Sequence, residues 1–233
     1  MKVLKQLTAL LIVTVIFGSS SMAYQKENRD VETFTQISLR TSVNVYLTQG
    51  NTQKVELSGD SGDFEKLETK VRGGELIIDD KNRSNWGNWS GLDIDVYITV
   101  KELDAISVAG SGDMVSRGKF NCDDLDIAVA GSGDLEFEVD ARDVDISIAG
   151  SGSVLLSGSS KMNKVSIAGS GKLDAEDMES NSYRISIAGS GRAKVHAKDE
   201  ITSKITGSGS VYYKGNPSRV NNNSAGSGKI KKM

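Results

Sequence analysis

Apolar and polar side chains alternate with period two through most of the chain beyond about residue 34. In the second half this occurs in Leu125-Asp126-Ile127-Ala128-Val129-Ala130, Val144-Asp145-Ile146-Ser147-Ile148-Ala149, Lys164-Val165-Ser166-Ile167-Ala168 and Tyr183-Arg184-Ile185-Ser186-Ile187-Ala188. Larger, mostly β-branched residues alternate with small or polar ones, so each segment predicts a strand with one buried face. A looser alternation follows each of these, as in Leu135-Glu136-Phe137-Glu138-Val139, Ala193-Lys194-Val195-His196-Ala197 and Val211-Tyr212-Tyr213.

Between the paired strands stands the tripeptide Gly-Ser-Gly, which starts at Gly110, Gly131, Gly150, Gly169, Gly189, Gly207 and Gly226. Successive copies are 21, 19, 19, 20, 18 and 19 residues apart, and such self-similarity is the mark of a repeat architecture. Four or five buried aliphatics at roughly 1.5 to 3 kcal/mol each cannot offset the ordering of about 19 residues at roughly 1 to 2 kcal/mol each. A single repeat would not fold, so the repeats must stack. The expected fold is all-β, a parallel β-helix or solenoid of about seven rungs of 18–21 residues, roughly 30 Å long at about 4.8 Å per rung. Glycine suits the corners, where the chain turns sharply and neighbouring rungs leave little room. The serines between the glycines, Ser111 to Ser227, would form a hydroxyl ladder with a structural role.

Residues 24–102 are also β-rich but lack the repeat. Strands are expected at Phe34–Leu39, Val43–Leu47, Lys54–Ser58, Leu67–Val71, Glu75–Asp79 and Leu92–Val100, with turns at Gly50-Asn51 and Gly73-Gly74. With no linker before residue 103, one domain over 24–233 is expected, its first part (24–102) capping the solenoid of 103–233. The polar Asn222 and Ser224, where earlier rungs carry isoleucines, would end the apolar column without an adhesive edge.

The N-terminus changes the picture of where the protein works. Lys2 and Lys5 precede an apolar run from Leu7 to Phe17, and Ser21-Met22-Ala23 offers a small-residue cleavage site. Residues 1–23 are therefore read as a secretory signal peptide. No second apolar run follows, so no transmembrane segment is expected after cleavage. The protein should be exported to the periplasm, cell surface or medium.

Several features resemble reactive sites. Gly59-Asp60-Ser61-Gly62 copies a serine-protease nucleophile segment, but the chain has one histidine, His196, inside a rung strand. Gly169-Ser170-Gly171-Lys172 and Gly226-Ser227-Gly228-Lys229 lack the hydroxyl residue and helix of a phosphate loop. Asp126 and Asp145 would stand on adjacent rungs, where like charges repel or share a cation; a solvated acidic face is preferred, with no metal or other cofactor. The same outward column continues as Lys164 and Arg184, so its charge changes sign. The sole cysteine, Cys122, cannot form an internal disulfide and is read as a packing or tolerated residue. The net charge of -3 argues against nucleic acid as a general partner.

One irregular segment, Asn82-Arg83-Ser84-Asn85-Trp86-Gly87-Asn88-Trp89-Ser90-Gly91, is the candidate ligand site. Trp86 and Trp89 could stack on sugar rings while Asn85 and Asn88 bond hydroxyls. Packing of the two tryptophans over an open end of the core is the competing reading, and the simpler one.

From about Val31 to its end the chain resembles the head GIN domain family, secreted bacterial proteins described as auto-transporter adhesins. The resemblance rests on an order of features: the Phe34/Ile37 strand, Val43-Asn44-Val45-Tyr46-Leu47-Thr48-Gln49-Gly50, Leu76-Ile77-Ile78, the Leu103/Ile106 entry, then the Gly-Ser-Gly rungs. It implies a secreted β-solenoid and supplies no catalytic residues. The expected function is a non-enzymatic binding or adhesion module at the cell envelope, with a cell-surface glycan or envelope component as partner. The alternatives are a self-associating structural envelope protein and, behind it, a polysaccharide-cleaving β-helix enzyme.

Overall fold

The computed structural model describes residues 25–81 and 91–233. The chain runs through β1 (Gln25–Arg29), β2 (Gln36–Leu39), β3 (Asn44–Gln49), β4 (Lys54–Gly59), α1 (Ser61–Phe64), β5 (Leu67–Arg72), β6 (Glu75–Asp80), β7 (Ile94–Val100), β8 (Ala105–Val108) and β9 (Met114–Ser116). It continues through β10 (Phe120–Gly131), β11 (Asp134–Gly150), β12 (Ser153–Gly169), β13 (Lys172–Gly189), β14 (Arg192–Gly207), β15 (Ser210–Lys214), β16 (Arg219–Gly226) and β17 (Lys229–Lys232). This is the all-β solenoid that the alternation and the repeat predict.

Pairing divides the solenoid into two faces joined at the Gly-Ser-Gly corners. The first face stacks in the order β5-β6-β2-β8-β10-β11-β12-β13-β14-β16. The second stacks as β1-β4-β7-β3-β9-β11-β12-β13-β14-β15-β17. Each long strand from β11 to β14 leaves one corner on the second face, bends, and returns on the first. The register is set by the apolar alternation: Ile106, Ile127, Ile146, Val165 and Ile185 stack inward on the first face, and Met114, Leu135, Val154 and Leu173 on the second. A one-residue slip would turn every one of these outward.

The corners explain the glycines. The first glycine of each of the six later tripeptides has φ between +113° and +126°. A Cβ on Gly150 would lie 2.5 Å from the Gly131 carbonyl oxygen, and one on Gly152 would meet the Gly133 oxygen at 2.5 Å and Val129 Cγ1 at 2.7 Å. The Gly131 carbonyl oxygen accepts the Ser151 N–H at 2.9 Å, so successive corners are tied together as well as crowded. The serine side chains point the other way and are exposed in all seven copies.

The N-terminal region is more regular than its sequence. β2 and β6 run parallel to β8 in the rung register, with Ile37 opposite Ile106 and Leu76, and β3 and β7 run parallel to β9. Among the described residues, antiparallel pairing is confined to β1 with β4, β4 with β7 and β5 with β6. The corner between β2 and β3 is Arg40-Thr41-Ser42-Val43, without glycine. The crowding is directional: Cβ atoms on Gly110 and Gly112 would meet the Thr41 and Val43 oxygens at 2.8 and 2.4 Å, so the burden falls on the later rung.

Each end has its own closure. At the start, Asp60 accepts the Gly62 N–H at 2.8 Å and caps α1, whose Phe64 is buried. The protease-like string Gly59-Asp60-Ser61-Gly62 thus ends β4 and opens a single helical turn. At the finish, the inward column turns polar at buried Ser203, whose Oγ lies 2.7 Å from Asn222 Oδ1, and Asn222 Nδ2 donates to Ser224 at 2.9 Å.

Gly150→Ala should lower stability by about 2–6 kcal/mol, combining φ > 0 strain and overpacking of roughly 1–3 kcal/mol each. Ser151→Ala, one residue on at an exposed hydroxyl, should stay within about 0.5 kcal/mol of the parent. Urea unfolding midpoints of the two variants measure the contrast, and equal shifts would refute the steric account of the corner.

Candidate binding surface

Since inward columns are spent on the core, recognition must come from the outward ones, and the two faces differ there. On the first face the outward columns are short: Ser107-Ala128-Ser147-Ser166-Ser186 and Ala130-Ala149-Ala168-Ala188. Beside them runs Asp126-Asp145-Lys164-Arg184, and Lys164 Nζ lies 3.0 Å from Asp145 Oδ2. The adjacency of the two aspartates is thus as the register required, with the second neutralised by the next rung.

The second face carries long side chains. Its central outward column reads Glu56, Tyr97, Tyr46, Val115, Glu136, Leu155, Asp174, Lys194, Tyr212 and Lys231. Tyr46 and Tyr97 stack with ring centroids 5.1 Å apart, and the Arg117 guanidinium sits 4.2 Å from the first ring and 4.7 Å from the second. Such a cation over two rings fixes both at about 0.5–1 kcal/mol per contact at an exposed site. Lys26 and Lys54 clasp Glu56 at 2.7 and 2.6 Å, and their hydrogen bonds hold its carboxyl below the usual range.

Between the tyrosine pair and the C-terminal rungs lies an open depression of about 570 Å³ lined by Asp113, Asp134, Glu136, Leu155, Lys172 and Arg192, among others. Leu155 is 43% exposed, one of the few large apolar residues left in solvent. Asp113 and Asp134 each accept a backbone N–H from the following rung, at 3.2 and 3.0 Å. The surface is therefore acidic toward β9 and basic toward β17, with an apolar centre.

Trp86, Trp89, Asn85 and Asn88 fall within 82–90 and lie outside the described residues. In the chain this segment joins β6 to β7, which carries Tyr97. Sequence reasoning missed Tyr46, Tyr97, Arg117 and Tyr212 as a surface. The signal was present, since Val45-Tyr46-Leu47 and Val96-Tyr97-Ile98 both place tyrosine at a polar phase, but which strands adjoin was not readable.

The imitation motifs do not assemble. Ser61 follows β4 and His196 lies in β14, seven strand steps away on the same face, roughly 30 Å at about 4.8 Å each. The lysines of both phosphate-loop look-alikes open strands, β13 and β17, with no helix N-terminus to meet a phosphate. Among the described residues no three His, Cys, Asp or Glu side chains converge as a metal site, and no helix is long and apolar enough to cross a membrane.

Residues 33–217 match the model of the family described as "Putative auto-transporter adhesin, head GIN domain". The chain belongs to this family. That description points to a binding module that is exported or displayed at the cell surface. Solved structures share the fold: a "putative adhesin" from Bacteroides fragilis has a TM-score of 0.83 at 23% identity, covering 91% of this chain and 98% of its own. A "putative lipid binding protein" from Parabacteroides distasonis has a TM-score of 0.73 at 24% identity, covering 91% and 98%. A "putative adhesin" from Parabacteroides merdae has a TM-score of 0.73 at 19% identity, covering 91% and 97%. No curated protein shows significant sequence similarity to the chain.

In this head GIN domain Cys122 is half-buried on β10, opposite Ala141. Burial, aided by Asp104 and Asp123, pushes its thiol up to about 11. Only the thiolate is nucleophilic, and three pH units below that value roughly one thiol in a thousand is ionised. Alkylation by iodoacetamide at pH 8 should be at least tenfold slower in the folded protein than in urea, and should climb about tenfold per pH unit to near pH 10. A rate that levels off by pH 9 would contradict this environment.

Proposed function

We propose that this head GIN protein is an exported, non-enzymatic adhesion module that holds a cell-surface glycan against its second face. The observation that carries this reading is the inequality of the two faces. The first presents columns of serine and alanine beside one charged column, whereas the second presents a tyrosine pair under an arginine, an exposed leucine and a charged depression. Open, aromatic and polar surfaces suit sugars, whose rings offer apolar faces and whose rims offer hydroxyls. Export rests on residues 1–23 as a cleaved signal peptide, leaving a single domain over 24–233. Trp86 and Trp89, in the stretch of sequence that leads into β7, would stack on sugar rings while Asn85 and Asn88 bond their hydroxyls.

A second reading, a structural protein of the envelope that self-associates, is favoured by one feature. The column Asp126-Asp145-Lys164-Arg184 inverts its charge halfway, so two antiparallel copies would oppose acid to base. Sedimentation that lightens with added salt, in a protein that binds no glycan, would select it.

On a glycan array the protein should bind a defined subset of sugars. Trp86→Ala/Trp89→Ala should weaken that binding at least tenfold while the melting temperature stays within about 2 °C of the parent; a large fall in melting temperature would instead assign the tryptophans to packing over the core. Undiminished binding by the double variant would remove the tryptophans from the site.

A further inference from the structure

We infer that the C-terminal half of the second face is a site for an anionic polysaccharide, read by a ladder of cations on β13, β14 and β17 that Ser210 of β15 interrupts. The inference rests on the second face being the binding face and names the ligand class there. Lys172 lies beside Arg192, Arg192 beside Ser210, and Ser210 beside Lys229, while Lys231 stands next to Tyr212 in the adjoining column. The run from Lys172 to Lys229 covers three rung steps, roughly 14 Å at about 4.8 Å each.

Three observations favour a charged sugar chain. First, these four cations are exposed and have no carboxylate partner among the described residues, whereas neighbouring Lys194, Lys198 and Lys214 are paired with Asp174, Glu179 and Asp177 at 2.9, 2.5 and 3.1 Å. Unpaired like charges at rung spacing repel each other, and a polyanion removes that repulsion. Second, Tyr212 stands within the ladder with the Arg192 guanidinium 5.9 Å from its ring, offering a sugar an aromatic surface beside the charges. Third, the ladder is linear and bordered by an open depression, a shape that admits an extended chain rather than enclosing a small anion. The free carboxylate oxygens of Asp113, Asp134 and Glu136 bound the site on the β9 side, since they repel the same ligand. A flat lipid headgroup layer is less suited, because among the described residues this face exposes few large apolar side chains, Leu155 and, past β17, Met233.

The test is binding of the intact protein to heparin-derived and polygalacturonate oligosaccharides by calorimetry at several salt concentrations. Binding should fall steeply with salt. Lys172→Ala/Arg192→Ala should weaken it at least tenfold and flatten the salt dependence, and Tyr212→Ala should weaken it with the salt slope kept. Lys161→Ala/Lys204→Ala, which removes the same charge off the ladder, should leave it within twofold. Equal losses in both double variants would reduce the effect to net charge and overturn the site. So would binding of phosphatidylglycerol vesicles, but not oligosaccharides, through the same residues. Binding of neutral glycans in a Trp86-dependent and Lys172-independent manner would overturn this inference and leave the glycan reading standing; no binding to any sugar would remove both.

Discussion

The whole rod depends on how closely one corner can sit on the next. At each Gly-Ser-Gly corner a Cβ would point at the carbonyl of the rung below, at 2.4 to 2.7 Å for the first glycine of the six later copies. Real Cβ atoms do not come so close, so the corner must be bare for the two ladders on either side to remain in register. The carbonyl that excludes the side chain also accepts the next rung's N–H, so crowding and cohesion have one origin. The constraint acts in one direction, on the later rung, which is why Thr41 and Ser42 serve as a corner under Gly110.

A strict corner leaves strict inward columns and free outward ones. Inside, the stack of β-branched residues fixes register and fills the core. Outside, side chains at rung spacing meet no packing demand, and the two faces have diverged: serine and alanine columns beside a single charged one on the first, tyrosines and several long charged side chains on the second. Because each outward side chain stands on a paired strand rather than a loop, its position is set before any ligand arrives. That lowers the entropy a ligand must overcome, which suits weak repetitive contacts to a chain.

The repeat half was legible because one residue type in one phase reports both corner and strand. Gly131, Ile146 and Ile148 are placed by spacing alone. The N-terminal rungs were not, since their corner lacks glycine and their pairing, such as Ile37 with Ile106 across 69 residues, is non-local. The surface site suffered the same loss: Tyr46 and Tyr97 are 51 residues apart in sequence and stack only because β3 lies against β7. Periodicity gives a side chain its face but not its neighbour. The short helix at Ser61 escaped for another reason, as a four-residue turn capped by Asp60 has no period to read.

Asn163 marks where the inward pattern yields. It stands between Val144 and Tyr183 on the inward column, wholly buried, and its amide makes no hydrogen bond of normal geometry, while the Tyr183 hydroxyl donates to the Met178 carbonyl at 2.8 Å. Burial raises the Tyr183 phenol, so that hydroxyl remains a donor throughout the neutral range. A buried amide with only the Tyr183 hydroxyl near it and no well-formed hydrogen bond costs up to about 1–3 kcal/mol, a cost that a short stack could not absorb. Here ladders above and below hold β12 and β13 in register through the rest of their length, so one poor inward position is tolerated. The same reserve explains how the outward columns could be given over to unpaired cations at β13 to β17: cohesion along the rod is spread over every rung, and no single rung has to be optimal.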